Sequence, residues 1–308
     1  MNKNKKIISI VVPIYNEEEI ISLFKDKLLE VINKIKIFNF EVLLINNCST
    51  DKTKFIIDHF KKPFKIIELT NYFGKENAIL CGLDLSKGNY VIIMDPDLED
   101  PPSLIPKLIT KIKMGYDVVY AKRINQNNNF GMINFLKKSY YFIFAKFAEP
   151  NLKIYENTGD FKILSRNAVN NLKEIREITR FNRSLTSYIE SNASHVNFKR
   201  PSRVKGKSKS NFKFLWNYAL NSIISSSSKP LEIWFYFGLI WFIFSVLFAV
   251  FIFYQKISGQ SLEGWASTLL FLLFFSSFNT LSIGVLSLYL NRIYQEVKKR
   301  PNYIIRKK

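Results

Sequence analysis

The amino-acid sequence predicts an α/β protein with a mostly parallel, doubly wound sheet, followed by an interfacial helix and two membrane-spanning helices. Up to about Gly115, short apolar runs alternate with segments of helical spacing, which is typical of such sheets. Polar side chains follow several of these runs, and this indicates a ligand-binding edge. Nearer the C-terminal end, residues 233–254 and 264–291 contain no charged side chain, as expected of membrane spans.

Each predicted element has its own signal in the chain. Apolar runs and helical spacing predict strands at residues 7–12, 41–45, 65–69, 91–94 and 118–121, and helices at 17–36, from 51, at 75–85 and at 102–114. Ser49 or Thr50 can cap the second of these helices. The run at 91–94 is apolar throughout, as in strands buried on both faces. Pro101 and Pro102 suit the first turn of the helix that follows.

A mostly polar set of residues follows three of the predicted strands. These are Pro13, Tyr15, Asn16 and Glu17 after the first, Asn46, Asn47 and Asp51 after the second, and Asp95 and Asp97 after the fourth. Since open α/β sheets bind ligands outside the carboxyl ends of their strands, we expect these residues to lie together. The Tyr15 ring can stack on a base, and amides or carboxylates can pair with base edges. Taken singly, each residue is also explained by turn chemistry.

Asp95 and Asp97 lie one residue apart at the end of the apolar run. Two such carboxylates can hold a hard divalent cation, which in turn binds a substrate diphosphate. An acidic turn between a strand and a helix is the alternative explanation of this pattern. The polar residues that follow the neighbouring strands favour the metal site.

The composition argues against several classes of protein. Cys48 and Cys81 are the only cysteines, too few for a disulfide framework or a zinc site. His59 and His195 are the only histidines, which argues against histidine-based catalysis. The basic start of the chain leads directly into a strand, so we expect no signal peptide.

The net charge of +20 implies an anionic partner, which is nucleic acid, anionic lipid or a phosphorylated substrate. Residues 191–231 contain no acid, and eight bases lie there: Lys199, Arg200, Arg203, Lys205, Lys207, Lys209, Lys213 and Lys229. Because this stretch runs into an uncharged block, it favours a membrane surface over nucleic acid. Apolar residues between 213 and 224 predict an interfacial helix.

The uncharged blocks predict a hairpin of two spans. At about 1.5 Å rise per residue, residues 233–254 match a bilayer core of roughly 30 Å. Bases flank the hairpin on both sides, so the positive-inside rule places the large domain and both termini in the cytoplasm of a cell-membrane protein. The predicted organisation is a cytoplasmic domain at 1–210, a juxtamembrane helix and joint at 211–230, two spans at 231–291 and a basic tail at 292–308. A buried hairpin in a soluble core fits such long uncharged runs poorly.

Several motifs resemble those of a known family. They are Ser9-Ile-Val-Val-Pro-Ile-Tyr-Asn-Glu17, Asn46-Asn-Cys-Ser-Thr-Asp51, Asn71-Tyr-Phe-Gly-Lys-Glu76, Met94-Asp-Pro-Asp-Leu-Glu-Asp-Pro-Pro102, Asp117-Val-Val-Tyr-Ala-Lys-Arg123, Asn157-Thr-Gly-Asp-Phe161, Arg203-Val-Lys-Gly-Lys-Ser-Lys209 and Asn291-Arg-Ile-Tyr-Gln-Glu-Val-Lys-Lys-Arg-Pro-Asn-Tyr303. In this order they resemble the inverting family 2 glycosyltransferases, and most of all the polyprenyl-phosphate branch with its dolichyl-phosphate mannosyltransferases and bactoprenol glucosyltransferases. Nearly the whole chain takes part in the resemblance.

The resemblance implies a GT-A fold and the transfer of one sugar, with inversion, from a UDP- or GDP-linked donor to a membrane polyprenyl phosphate. The product would serve the modification of cell-surface glycans or glycoproteins. The resemblance also implies Mg²⁺ or Mn²⁺ as the cofactor. It implies anionic lipids, but no nucleic acid, as further partners, and it leaves open whether the protein forms a homo-oligomer. The Gln-x-x-Arg-Trp signature of processive synthases is absent, which favours a single transfer.

Residue roles follow from the same resemblance. The metal ligands would be Asp95 and Asp97, and the donor would also contact Pro13, Tyr15, Glu17, Asn46, Asn47, Lys75, Arg203 and Lys209. Arg123, Arg203 and Lys209 would neutralise phosphates of the leaving group or acceptor. Asp160 would be the base or the acid that orients the acceptor, so that Asp160, Asp97 and Arg123 form the catalytic set. A turn aspartate that caps a neighbouring element is the structural alternative for Asp160.

Two departures from the family pattern affect the prediction. The motif that usually reads Asp-Asp-Gly-Ser is Asn46-Asn47-Cys48-Ser49 here, which leaves the nucleotide open. The usual Asp-Ala-Asp is Asp95-Pro96-Asp97, which keeps both acids. The alternatives are transfer to a hydroxyl-bearing lipid such as diacylglycerol, an inactive membrane scaffold derived from this fold, and a nucleic-acid-binding protein.

Overall fold

The structure is a computed structural model that describes residues 5–124, 155, 157–178, 180–199, 201, 229–258 and 264–307. The chain forms two compact units. The first comprises Met1–Ala219 together with Pro301–Lys308, and the second comprises Leu220–Arg300.

A seven-stranded sheet forms the centre of the first unit. Its strands are β1 (Ile7–Ile14), β2 (Asn39–Asn46), β3 (Phe64–Glu68), β4 (Tyr90–Ile93), β5 (Val118–Ile124), β6 (Thr158–Ser165) and β7 (Ala193–Lys199). Their order in the sheet is β3-β2-β1-β4-β6-β5-β7. Strand β6 is antiparallel to β4 and β5, and the other neighbouring strands are parallel. The predicted mostly parallel sheet is therefore confirmed.

The helices pack on both faces of this sheet. They are α1 (Ile21–Ile32), α2 (Thr53–Asp58), α3 (Lys75–Leu85), α4 (Ile105–Ile112), α5 (Arg166–Glu174) and α6 (Asn182–Ile189), with a short 3₁₀ helix at Pro102–Leu104. One apolar cluster joins the sheet to α1 and α4, and the other joins it to α3 and α5. This two-sided cover is the doubly wound arrangement.

Several predicted helix bounds differ from the structure. The first helix spans Ile21–Ile32 rather than 17–36, and residues 18–20 before it form a turn in which the Glu17 carbonyl accepts the backbone N–H groups of Ile20 and Ile21. The helix predicted at 102–114 is divided into the 3₁₀ helix and α4, which ends at Ile112. Neither Ser49 nor Thr50 caps α2. The Asp51 carboxylate accepts the Thr53 N–H at 3.0 Å, whereas Ser49 Oγ accepts the Asn16 N–H at 3.1 Å and joins the loops after β1 and β2.

Helix α3 lies close to β1 because Gly82 has no side chain. A Cβ at this position would lie 2.2 Å from Val11 Cγ1. We expect Gly82→Ala to lower the free energy of unfolding by about 1–3 kcal/mol, the usual cost of overpacking a core. Urea denaturation measures this loss. If Val11→Ala is introduced as well, the added methyl group gains room, so the double variant should lose less stability than the two single losses together. A double variant whose loss of stability equals the sum of the two single losses would contradict this close packing of Gly82 on Val11.

The second unit contains two long helices, α7 (Lys229–Ile257) and α8 (Trp265–Val297). The segments Leu231–Gln255 and Phe271–Val297 are long and apolar enough to cross a membrane, with mean hydropathies of 2.5 and 1.7. None of the side chains that the structure describes in these two segments is buried inside the protein, unlike those of a core hairpin. Helix α8 continues to Val297, past the predicted boundary at 291, because its last turns carry polar residues of good helix propensity. The predicted interfacial helix lies outside the described residues.

The end of the chain returns to the first unit. Ile305 pairs with Leu69 in an antiparallel bridge beside the edge strand β3. Residues 301–308 therefore group with the sheet, whereas the sequence predicted a separate basic tail at 292–308. The charge pattern gave no sign of this pairing, because a short strand at a sheet edge depends on main-chain hydrogen bonds.

Candidate active site

The loops that follow β1, β2, β3 and β4 surround a cavity of about 170 Å³ at the carboxyl edge of the sheet. Its lining residues are Pro13, Ile14, Tyr15, Glu17, Asn47, Tyr72, Lys75, Asp95, Pro96 and Asp97. A second hollow of about 230 Å³, lined by residues such as Ile35, Ile109 and Lys113, contains no carboxylate. The polar chemistry is thus concentrated at the sheet edge that the sequence predicted.

The backbone of these loops adopts an uncommon conformation. Asn16, Cys48 and Leu98 have φ values of 53°, 59° and 59°, in the left-handed region that favours glycine. Asn16 is also held by its side chain, because Oδ1 accepts the Thr50 N–H at 2.8 Å. Cys48 occupies the place of the family's usual glycine. The loops that form the cavity are therefore shaped by contacts with one another.

Two tyrosines and an amide side chain line one part of the cavity. The rings of Tyr15 and Tyr72 lie 4.5 Å apart between centroids. Asn47 Oδ1 accepts the Phe73 N–H at 2.9 Å, a contact that an aspartate could make equally well. Asn46 is buried away from the cavity, and its Oδ1 accepts the Ser49 N–H at 3.1 Å. Of the two asparagines that replace the usual acids, only Asn47 lines the cavity.

Lys75 joins two acids that are distant in sequence. Its Nζ lies 2.7 Å from Asp95 Oδ2 and 2.6 Å from Asp160 Oδ2. Arg183 Nε lies 3.3 Å from the other Asp160 oxygen. Strands β4 and β6 are neighbours, and so the residues after β4 meet the start of β6, which carries Asp160. Lys75 itself opens α3, directly after Gly74 at a φ of 83°.

Burial and charge shift the ionisation of this cluster. Burial alone would raise the pKa of Asp160, but Lys75, Arg183 and Lys162 hold it well below its usual range. Burial also opposes the charge of Lys75, yet Asp160 and Asp95 raise its pKa. Burial raises the pKa of Asp95 against the opposing effect of Lys75. Asp160 is therefore a carboxylate in the folded protein, surrounded by cations.

A fully buried lysine lies behind Asp160. Lys162 Nζ donates to Thr186 Oγ1 at 2.6 Å, and burial lowers the pKa of this lysine to about 8. Glu76, next to Lys75, accepts the Asn182 N–H at 3.1 Å. Burial and the nearby Asp160 raise the pKa of Glu76 to about 7. Helix α6 thus supplies hydrogen-bond partners for Lys162 and Glu76, the buried charged residues beside Asp160 and Lys75.

Arg123 lies in a separate ion pair. Its Nη2 is 3.0 Å from Asp100 Oδ1, and burial raises the pKa of Asp100 although Arg123 opposes that shift. Arg123 Nε is buried and has no hydrogen-bond partner among the described residues. A Cβ at position 159 would lie 3.1 Å from Arg123 Nη2, so Gly159 permits this close approach.

The acids of the cavity fit a divalent cation shared with a substrate. Among the described residues, no group of three or more His, Cys, Asp or Glu could hold a metal alone. Asp95 and Asp97 offer two hard oxygen ligands at the cavity wall, and Asp95 already binds a cationic group, the Lys75 ammonium. Mg²⁺ usually takes one or two carboxylates and completes its coordination with substrate phosphates and water.

The structure brings most of the predicted site residues together. Pro13, Tyr15, Glu17, Asn47, Lys75, Asp95 and Asp97 line one cavity, and Asp160 adjoins it through Lys75. Asn46 does not line it, and Arg123 pairs with Asp100. Arg203 and Lys209 lie outside the described residues. Tyr72 and Arg183 were missed, although Tyr72 belongs to the motif 71–76 and could have been found there.

Comparison with known proteins places the chain in a family. The model of glycosyl transferase family 2 matches residues 9–173. A glycosyltransferase of Synechocystis sp. is 39% identical, over 97% of this chain and 94% of its own. The bactoprenol glucosyl transferase of Shigella phage SfII is 39% identical, over 97% of each chain. A structure of glucosyl-3-phosphoglycerate synthase from Mycobacterium tuberculosis, with Mn²⁺, UDP and phosphoglyceric acid, matches at 17% identity with a TM-score of 0.48 over 71% of this chain and 76% of that one.

The family match covers the sheet edge and every described acid of the cavity, and the relatives align over nearly the full chain. The protein is therefore a glycosyltransferase. The chain belongs to glycosyl transferase family 2, in the branch of the bactoprenol glucosyl transferases.

Proposed function

We propose that this glycosyltransferase moves a single sugar from a UDP- or GDP-linked donor to the phosphate of a membrane polyprenyl phosphate, with inversion at the anomeric carbon. The observation that carries the proposal is the state of Asp160, both of whose oxygens are engaged by cations, Lys75 and Arg183. A carboxylate held in this way orients charged groups and is poorly suited to take a proton. An acceptor that needs no deprotonation fits such a site.

The donor would occupy the cavity at the sheet edge. Tyr15 and Tyr72 offer ring faces for the base, and Asn47 lies beside them. Asp95 and Asp97 would hold Mg²⁺ or Mn²⁺ against the donor diphosphate. Such a cation supplies neutralising charge to the diphosphate as it leaves. Lys75 contacts both Asp95 and Asp160, and it would hold these two carboxylates in a fixed position relative to each other.

The acceptor phosphate provides its own nucleophile. The second ionisation of a phosphomonoester falls near pH 6, so the group is mostly dianionic at pH 7. One of its oxygens forms a bond to the anomeric carbon while the bond from that carbon to the donor diphosphate breaks, and the nucleoside diphosphate leaves with the electron pair. No proton is transferred. The protein's part is alignment and charge neutralisation.

Basic residues would neutralise the phosphates that meet at this step. Arg183 and Arg123 are the described candidates, and Arg203 and Lys209 remain predictions from the family motif. The stretch of bases before α7 and the anionic leaflet would attract each other, at roughly 1 kcal/mol for each base near the surface. This attraction would keep the site at the level of the lipid headgroups.

The orientation of the helices follows from the proposal. The catalytic domain and both termini would be cytoplasmic, and the loop between α7 and α8 would lie outside. The bases that flank the two spans support this orientation, because Lys and Arg concentrate on the cytoplasmic side of membrane proteins.

Cysteine labelling in intact cells tests this orientation. Ser258→Cys, at the end of α7, should react with a membrane-impermeant maleimide, because the loop it borders faces outward. Lys307→Cys should react only after the cells are permeabilised. The unmodified chain, with Cys48 and Cys81, is the control for background labelling. Labelling of Lys307→Cys in intact cells would overturn the proposed topology.

Product analysis tests the proposed reaction. Membranes that contain the protein would be incubated with polyprenyl phosphate or diacylglycerol, with Mn²⁺ and with a panel of UDP- and GDP-sugars. Mass spectrometry of the lipid fraction should show polyprenyl phosphate carrying one sugar. Glycosylated diacylglycerol without any polyprenyl product would instead favour a hydroxyl acceptor, and absence of both would favour an inactive scaffold.

A further inference from the structure

We propose that the C-terminal tail, residues 301–307, is a positioning element of the donor pocket, and that Tyr303 is its main anchor. This inference rests on the proposed function, since it concerns the nucleotide that the pocket would bind. The tail follows the second membrane-spanning helix in sequence and packs on the catalytic unit. Its contacts fall on the end of β3, on α3 and on the segment that follows α5.

The first group of contacts holds the end of β3. The Ile304 carbonyl accepts the Thr70 N–H at 2.9 Å, and the Arg306 N–H donates to the Glu68 carbonyl at 2.8 Å. The Arg306 guanidinium also lies 2.8 Å from the Glu68 carboxylate. Together with the Leu69–Ile305 bridge, these contacts extend the sheet by a short antiparallel segment. An extended segment added to a sheet edge is a common mode of peptide recognition.

The second group holds α3 and the segment that follows α5. The Tyr303 hydroxyl donates to Asp84 Oδ2 at 2.6 Å, near the end of α3. Arg176 donates to both oxygens of the same carboxylate at 2.8 Å. Asn302 Nδ2 donates to the Glu177 carbonyl at 2.8 Å. The Tyr303 ring packs against the apolar cluster that α3 shares with the sheet.

The chain between these two attachments forms the wall of the donor pocket. It begins at Thr70, which the tail holds, and continues through Tyr72, which packs on Tyr15, and Phe73, whose N–H donates to Asn47. It ends at Lys75, which contacts Asp95 and Asp160. The tail thus holds Thr70 at one end of this segment, and at the other end Asn302 Nδ2 lies 3.5 Å from Asn77 Oδ1, in the first turn of α3 just after Lys75. Among the described residues that line the cavity, none belongs to the tail.

Loss of the tail should therefore weaken donor binding more than it slows the chemical step. A segment that is ordered before binding loses less conformational freedom when the ligand arrives. We expect removal of residues 301–308 to raise the KM for the nucleotide-sugar about tenfold and to leave the KM for the lipid acceptor unchanged. Tyr303→Phe, which keeps the ring and removes only the hydroxyl, should produce a smaller rise of the same kind.

Calorimetry of nucleotide binding separates this inference from the proposed reaction. The full chain, the truncated chain, Tyr303→Phe and Tyr188→Phe would be titrated with UDP and with GDP in the presence of Mn²⁺. Tyr188 is an exposed tyrosine on α6, and its variant is the matched control, with the affinity of the unmodified chain expected. A synthetic peptide of residues 301–308, added at millimolar concentration, should restore part of the affinity of the truncated chain.

The outcomes are distinct. Unchanged nucleotide affinity in the truncated chain and in Tyr303→Phe would overturn the positioning role. A truncated chain that is folded, binds weakly and does not respond to the peptide would overturn it as well. If truncation prevents folding, Tyr303→Phe decides alone. Failure of the full chain to bind either nucleotide would count against the proposed function, whereas nucleotide binding that depends on the tail without lipid product would support the tail's role and contradict the acceptor.

Discussion

Replacement of Asp97 by Asn, or of Asp95 by Asn, is expected to lower the rate of sugar transfer at least a hundredfold. Each change keeps the size of the side chain and removes a charged oxygen ligand. Both acids lie in the wall of the cavity, where the donor diphosphate would need neutralising charge as it leaves. Loss of one preorganised charged contact in an active site commonly costs a factor of about 100 to 1,000 in rate. Initial rates at saturating donor and acceptor measure the effect.

A control variant and the dependence of the rate on metal show whether Asp95 and Asp97 act through a bound cation. Asp26→Asn, an exposed acid on α1, should transfer sugar at the normal rate. The unmodified enzyme should lose activity with a chelator and regain it with Mn²⁺ or Mg²⁺, and the two Asn variants should need more metal for half-maximal rate. Normal transfer by either variant in the presence of a chelator would contradict a metal role for this pair.

Replacement of Asp160 by Asn is expected to slow transfer about a hundredfold or more, for a different reason. Lys75 and Arg183 would both lose the charged carboxylate that holds them. Lys75 would then have Asp95 as its one remaining carboxylate partner among the contacts described above. Misplacement of groups in an active site by about 1 Å can cost a factor of about 100 in rate. The rates of Asp160→Asn and of Asp58→Asn, an exposed acid of α2, should therefore differ strongly.

The pH profile distinguishes orientation from proton transfer. If Asp160 orients the cations, the rate of the unmodified enzyme should fall below about pH 6, where the acceptor phosphate becomes protonated. The residual rate of Asp160→Asn should fall over the same range, since the titrating group belongs to the lipid. A residual rate that no longer depends on pH would identify Asp160 as the base and contradict its proposed role. Full activity in the variant would remove Asp160 from the mechanism.

The site could be predicted where it follows from strand order. Parallel strands align their carboxyl ends, so residues after the first, second and fourth predicted strands had to share an edge, and Tyr15, Asn47 and Asp95 do so. Lys75 was found because its motif precedes a helix that was predicted with the correct bounds. These parts depend on local patterns and on one topological rule.

Other parts could not be predicted because they depend on tertiary pairing. Strand β6 carries Asp160 and the buried Lys162, and these charged residues interrupt the apolar run by which a buried strand is recognised. Arg183 reaches Asp160 only because α6 packs against this strand. The tail pairs with β3 through main-chain groups, which have no sequence signature.

The most direct test of the central claim is ³¹P NMR of vesicles that contain the purified protein and polyprenyl phosphate. Addition of the correct nucleotide-sugar with Mn²⁺ should replace the phosphomonoester signal of the lipid with a phosphodiester signal. The same mixture with Asp97→Asn should keep the monoester signal. A monoester signal that persists while the unmodified enzyme consumes the donor would show that the sugar goes to another acceptor, and would contradict the account.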